Sequence, residues 1–132
     1  MTGTPNAASV ALLYEGKVLL IQRARAPLSG LWTLPGGRRE AGETAEQCAA
    51  REVGEELGLL VGRLQPVMQL PVGEAPTYLL QVYATATFDG RITPSDEIAA
   101  WRWVRPEATG GLATTPRLGE VLARVMLLVN RR

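Results

Sequence analysis

The chain has 132 residues, 46% hydrophobic and 20% charged, a balance that excludes a disordered tail and suits one globular domain. Fourteen Lys and Arg against thirteen Asp and Glu leave a formal charge of +1, too even for general binding to nucleic acid or an anionic membrane. A single cysteine, Cys48, and no histidine exclude an internal disulfide, a Cys/His zinc site and Ser-His or Cys-His catalysis, so any metal must rest mainly on oxygen ligands.

Met1 to Asn6 is polar and lacks the parts of a signal peptide, and no apolar run approaches about 18 residues, so a cytoplasmic location is expected. Ala7 to Tyr14 and Lys17 to Gln22, joined by Glu15-Gly16, read as two strands around a tight turn. After the break at residues 26–30, Leu31 to Leu34 is a short strand stopped by Pro35-Gly36-Gly37. Thr44 then caps a helix running to about Leu57, with Glu46 in its first turn and Gly58 as its stop. Leu59 to Leu70 and Thr77 to Phe88 are strand-like, separated by a loop holding Pro71, Gly73 and Pro76. Asp89-Gly90 is a turn, Trp101 to Val104 a last short strand, and Pro106 to Pro116 a loop. From Arg117 onward, Leu118, Val121, Leu122, Val125, Leu128 and Val129 recur at helical spacing, and Arg131-Arg132 reads as a solvated helix end. The order strands, helix, strands, helix predicts an α+β protein, an α/β/α sandwich with a mixed sheet, in one domain over residues 1–132.

Six of the thirteen acidic residues fall between Glu40 and Glu56. At about 100° per residue, Glu52, Glu55 and Glu56 share one helix face. Like charges one turn apart, near a helix C-terminus, destabilise the helix unless a cation sits among them. Ala49, Ala50, Val53 and Leu57 form the adjoining apolar stripe, so these carboxylates edge a cleft. Pro35-Gly36-Gly37 is a backbone that can approach a ligand closely and offer carbonyls to a metal or amides to a phosphate. Hard oxygen ligands suit Mg²⁺ or Mn²⁺, and Mg²⁺ commonly bridges to substrate phosphates. A diphosphate site is the natural reading; the blander alternative is a solvated acidic helix face.

Gly37, five residues, Glu43, seven residues, Arg51-Glu52-Val53, one residue, Glu55-Glu56, one residue, Gly58-Leu59 resembles the signature of the Nudix hydrolase family at every fixed position. The resemblance implies hydrolysis of a nucleoside diphosphate linked to another group X, by water attacking phosphorus with divalent metal in the site. It implies Glu52, Glu55 and Glu56 as metal ligands, with a backbone carbonyl of the glycine pair, that of Gly36, as a further one. Mg²⁺ is the expected metal and Mn²⁺ its substitute. Arg51 and Glu43 are expected to orient the loop and helix by ion pairing, and Gly37 to border the substrate. The catalytic base is either a glutamate of the signature helix, with Glu52 the first choice, or Glu97, whose loop is where several relatives place an extra acidic group. For Asp96 and Glu97 the alternative is ordinary loop solvation.

Arg23, Arg25, Arg38 and Arg39 are candidates for phosphate contact, Arg23 foremost. Trp32, Tyr78, Tyr83, Trp101 and Trp103 could stack on a nucleobase, but core packing is the better reading. Cys48 is expected to pack as a small hydrophobe. The overall pattern resembles small members acting on ADP-ribose or nucleoside triphosphates, without a specificity motif to choose between them; Pro71, Pro76 and Tyr78 do not match known markers cleanly. The alternatives are a nucleotide-binding regulatory domain, disfavoured by the complete signature, a pyrophosphohydrolase of RNA 5′ ends, disfavoured by the missing basic patch, and an isomerase of the same fold. The partner is a small nucleotide; no membrane or nucleic acid is expected. A homodimer is expected from the family's habit and the apolar content of Val67 to Ala86.

Overall fold

The computed structural model describes residues 3–73 and 77–129. Pro76 and Arg131-Arg132 lie outside the described residues. Strands β1 (Ala7–Tyr14) and β2 (Lys17–Arg23) form the expected hairpin, with Glu15 and Gly16 at φ 51° and 76° in the two-residue turn. They are followed by β3 (Trp32–Thr33), β4 (Gly36–Arg38), helix α1 (Ala45–Leu57), β5 (Leu60–Val61), β6 (Gln65–Val72), β7 (Tyr78–Thr85), β8 (Phe88–Asp89) and β9 (Ile98–Val104). A 3-10 turn (Pro106–Gly111) leads to helix α2 (Leu118–Val129).

Among the described residues, seven strands form one sheet in the order β3-β2-β1-β7-β6, with β4 on β1 and β9 on β2, while β5 and β8 make a separate pair. β1 runs parallel to β7 and antiparallel to β2 and β4, so the sheet is mixed as expected. Each face carries a helix. Cys48, Ala49, Val53 and Leu57 of α1 pack on Ala8, Val10, Leu12, Leu19 and Ile21. Leu118, Val121, Leu122 and Val125 of α2 pack with Ala11, Val18, Leu20, Val82 and Val104. The alternation along β1 and β2 sends neighbouring residues to opposite clusters, so both strands are apolar nearly throughout. Leu57 and Leu122, almost wholly buried, each contribute about 1.5–3 kcal/mol of burial. No helix among the described residues is long and apolar enough to cross a membrane.

Several boundaries differ from the sequence reading. Gly36-Gly37, expected as a strand stop, is itself in β4, with Ala7, Ala8 and Ser9 opposite Arg38, Gly37 and Gly36. A side chain at Gly36 does not fit this register without a backbone shift, because its Cβ would lie 2.7 Å from Ser9 Cα and collide with the Ala8 carbonyl. Gly36→Ala is therefore expected to push backbone against backbone and cost about 1–3 kcal/mol, read as a lower midpoint in urea. The stretch from Leu59 to Leu70 divides at Gly62, whose N–H donates to the Thr87 carbonyl at 2.8 Å, pulling β5 onto β8 and away from the main sheet. The last strand begins at Ile98, three residues earlier than expected, because β2 supplies a partner along its length, with an irregularity between Gln22 and Arg23. The loop after β9 contains the 3-10 turn. Much of the apolar content of Val67 to Ala86 enters the core: Leu70, Val82, Tyr83 and Ala84 are buried, while Val67 and Met68 of β6 stay half-buried. Of the aromatic residues, Tyr83 is buried, Trp32, Tyr78 and Trp103 are half-buried, and Trp101, expected in the core, is 39% exposed.

Candidate active site

Helix α1 positions the acidic cluster, and both of its ends are specified locally. Thr44 Oγ1 accepts from the Gln47 N–H at 3.0 Å, while Gln47 Oε1 accepts from the Thr44 N–H at 2.9 Å, a reciprocal cap. Gly58 ends the helix at φ 70°, its N–H donating to the Gly54 carbonyl. The late turns then point Val53 and Leu57 into the core and Glu56 toward β4. Glu56 is 7% exposed, and its Oε1 accepts from the Gly36 N–H at 2.9 Å. Burial pushes its carboxyl up to about 8; the Gly36 amide opposes this, while the negative charges of Glu52 and Glu97 add to it and Arg23 opposes it more weakly. Glu52 is also raised, first by burial, with Arg51 opposing and Glu55 and Glu97 reinforcing. Glu52 thus lies in the field of Glu55 and Glu97, and Glu56 in the field of Glu52 and Glu97.

Arg51 is the hub of the opposite charge. Its Nε and Nη2 donate to the two Glu43 oxygens at 2.7 and 3.0 Å, and Nη2 also donates to the Arg38 carbonyl at 3.0 Å. Nη1 donates to Glu52 Oε1 at 2.8 Å and Glu55 Oε1 at 3.1 Å, with Glu40 3.7 Å away. The Arg51 side chain is 22% exposed and that of Glu43 13%. The Arg51 guanidinium, helped by the Glu40 N–H, holds the Glu43 carboxyl down to about 2. That value lies below the ordinary 4.5, so the pair adds stability above about 4.5 that is lost as pH falls through about 2. The gap in thermal midpoint between the wild type and Glu43→Gln is accordingly expected at neutral pH and should close toward pH 2; a gap independent of pH would contradict the pairing.

Glu97 is exposed and stands one residue before β9, but its backbone is clamped. The Thr93 and Ser95 N–H groups donate to the Leu57 and Glu56 carbonyls at 2.7 and 2.9 Å, satisfying the open end of α1. The Glu97 carbonyl accepts from the Ala24 N–H at 3.0 Å, beside Arg23, and Arg25 pairs with Asp96 at 2.8 Å. Arg23 Nε donates to the Pro27 carbonyl at 2.8 Å. Arg39 has structural work, holding the Pro5 and Glu43 carbonyls at 2.9 and 2.7 Å, whereas the Arg25 side chain stays 60% exposed in its pair with Asp96. Arg38 lies over the Tyr78 ring, 5.1 Å from its centroid. Cys48 is fully buried, with Sγ 3.6 Å from the Gly37 carbonyl, and burial pushes the thiol up to about 11. It packs as a small hydrophobe.

Gly37 borders Glu52 so closely that a Cβ would lie 2.5 Å from Glu52 Cδ. The space a side chain would fill is held by a carboxylate. Sequence reasoning did not find the Arg38 carbonyl, the Gln47 half of the cap or the amides of Thr93 and Ser95. Gln47, three residues after Thr44, is the one with a readable signal; the others depend on tertiary contacts. As to metal, the donor set is hard carboxylate oxygen with a net excess of negative charge, which suits a divalent cation. Among the described residues, no three carboxylates are gathered around a common point as they stand; Glu52 and Glu55 are turned to Arg51.

The NUDIX domain family model matches residues 3–125. The chain is 32% identical over 114 residues to the NAD-capped RNA hydrolase NudC of Photobacterium profundum, covering 86% of this chain and 42% of that one. It is 33% identical over 92 residues to the oxidized purine nucleoside triphosphate hydrolase of Danio rerio, covering 67% and 59%. It therefore spans about half the length of these curated relatives. In structure it resembles the MutT NUDIX hydrolase of Burkholderia pseudomallei, with a TM-score of 0.84, 27% identity and coverage of 94% and 99%.

Proposed function

Since the chain belongs to the Nudix family, we propose that it is a Mg²⁺-dependent pyrophosphohydrolase cleaving a nucleoside diphosphate linked to X, with ADP-ribose or a nucleoside triphosphate as the substrate class. The observation that carries this reading is a buried carboxyl, Glu56, fixed by the Gly36 amide within the field of Glu52 and Glu97. A carboxyl kept in so unfavourable a place gains its full interaction only with a cation. Members of the family generally use divalent metal ions. Two named relatives act on nucleotide derivatives, an oxidized purine nucleoside triphosphate and NAD-capped RNA.

Glu52, Glu55 and Glu56, with the Gly36 carbonyl, are the groups that would hold the metal. When bound, it would neutralise the diphosphate and lower the pKa of a water. The remaining steps belong to the protein. The Gly36 N–H keeps Glu56 from turning away, and Arg51 keeps Glu52 and Glu55 on the side facing the loop. Glu43 fixes Arg51. Glu52, raised by burial and close to Gly37, takes the proton from the attacking water, with Glu97 as the alternative base. Arg23, at the end of β2 and within the field of Glu56, meets a substrate phosphate.

The test is product release over ADP-ribose, nucleoside triphosphates, dinucleoside polyphosphates, nucleotide sugars, NADH and capped RNA, with and without Mg²⁺. One dominant Mg²⁺-dependent small nucleotide is expected. Turnover confined to capped RNA would move the substrate class, and nucleotide binding without turnover on any member would overturn the enzymatic reading.

A further inference from the structure

Among the described residues, three other than glycine have positive φ: Glu15 at 51°, Leu28 at 64° and Arg117 at 68°. Glu15 stands in the hairpin turn, which requires that backbone, and Arg117 pairs with Glu120 at the start of α2. Leu28 has neither role. It is a bulky apolar residue, 48% exposed, in a left-handed backbone that glycine or asparagine adopts at lower cost.

The loop between β2 and β3 is tied down around it. The Gly30 N–H donates to the Arg23 carbonyl at 2.7 Å, the Leu31 N–H to the Leu28 carbonyl at 3.2 Å, and Gln22 Nε2 to the Gly30 carbonyl at 3.1 Å. The same loop meets the candidate site twice, through the Ala24 N–H on the Glu97 carbonyl and Arg23 Nε on the Pro27 carbonyl. Leu28 follows Pro27 directly, so its Cα lies within about 6 Å of that Arg23 nitrogen. With Nε on Pro27, Arg23 offers Nη1 and Nη2 to a phosphate, and the exposed leucine stands beside that phosphate.

We propose that Leu28 is a specificity-determining residue: its side chain packs on the organic group carried by the phosphate that Arg23 meets. Nucleotides with an organic group on both sides of the diphosphate, as in ADP-ribose, are then preferred over nucleoside triphosphates, which end in bare phosphate. This rests on the reading of the site as a pyrophosphohydrolase with Arg23 on phosphate. A free phosphate end needs water or donors, and the leucine side chain displaces the first and supplies none of the second. A sugar or nucleoside ring presents C–H surface that covers the leucine. The left-handed backbone is strain kept at the site to place that side chain.

The experiment measures kcat, KM and Tm for wild type, Leu28→Gly and Leu28→Asn, with ADP-ribose, a nucleotide sugar and NADH as doubly capped substrates and ATP and GTP as open ones. Both replacements suit φ 64°, so Tm is expected to be no lower than that of the wild type. For the best doubly capped substrate, KM is expected to rise about fivefold with kcat unchanged, as loss of a partly buried leucine contact allows. The constants for ATP and GTP should not move. A wild type that prefers ATP or GTP, an unchanged KM for the capped substrate, or an equal rise on both kinds would overturn the proposal. So would a lower Tm in both variants, which would give Leu28 a packing role in the fold. No turnover of any of the five by the wild type would overturn the pyrophosphohydrolase reading itself, and the inference with it.

Discussion

Glu56→Gln is expected to fold as the wild type does and to lose at least about a hundredfold in turnover. The two halves of this result have separate causes. A glutamine has the size of the glutamate, and its amide oxygen can accept the Gly36 N–H now held at 2.9 Å. At 7% exposure, with burial pushing the carboxyl up to about 8, Glu56 is mostly protonated at neutral pH without a cation, and a neutral amide in its place should cost no stability. What disappears is a carboxyl that can give up its proton and meet a cation with negative charge. Thermal unfolding and kcat on the best substrate of the panel check the halves independently. Turnover near that of the wild type would remove Glu56 from the metal site. A variant that unfolds would show instead that the carboxylate has structural work beyond the Gly36 bond.

Gly37→Ala is the second large effect, and it contrasts with the neighbouring glycine. At Gly36 an added Cβ meets the backbone of Ala8 and Ser9; at Gly37 it meets only the end of the Glu52 side chain. A side chain can swing away at small energetic cost where a backbone cannot. Gly37→Ala should therefore keep nearly the wild-type Tm, yet displace the carboxylate that Arg51 holds at 2.8 Å. Displacement on the order of 1 Å is enough to cost about a hundredfold in rate. Gly36→Ala should lose stability first. Equal loss of stability in both variants, or full activity in Gly37→Ala, would contradict the placement of Glu52 against this glycine.

The contrast between the two glycines also shows where sequence reasoning stops. Helix α1 was legible because its signals are local: Thr44 and Gly58 at the ends, and Val53 and Leu57 one turn apart. The same holds for the hairpin at Glu15-Gly16 and for the apolar spacing of α2. The signature from Gly37 to Leu59 marked the acidic face and its glycine neighbour. Gly36-Gly37 read as a break, however, because glycine is poor in strands by propensity. Only the close approach to Ala8 and Ser9 makes glycine the residue that fits there. The early start of β9 has the same origin, since Ala99 and Ala100 are strand residues only because β2 lies alongside. Glu97 was nominated from its place in a loop. What brings it into the field of Glu52 and Glu56 is a set of backbone bonds, from Thr93 and Ser95 to the end of α1 and from Ala24 to Glu97, between segments far apart in the chain. Arg51, read from the sequence as orienting the loop and helix by ion pairing, makes contacts to Glu43, Glu52, Glu55 and the Arg38 carbonyl. Helical spacing announced Glu55, one turn on; Glu43 and Arg38 are reached only once β4 is laid beside α1.

Chelation separates a metal-dependent site from one that works without metal. Turnover of the preferred nucleotide is measured in excess EDTA and again after Mg²⁺ is restored, in wild type and in Glu56→Gln. EDTA is expected to abolish wild-type turnover and Mg²⁺ to restore it, while Glu56→Gln stays at least about a hundredfold slower at saturating Mg²⁺. Turnover that survives EDTA, or a Glu56→Gln variant that Mg²⁺ brings to the wild-type rate, would contradict this expectation.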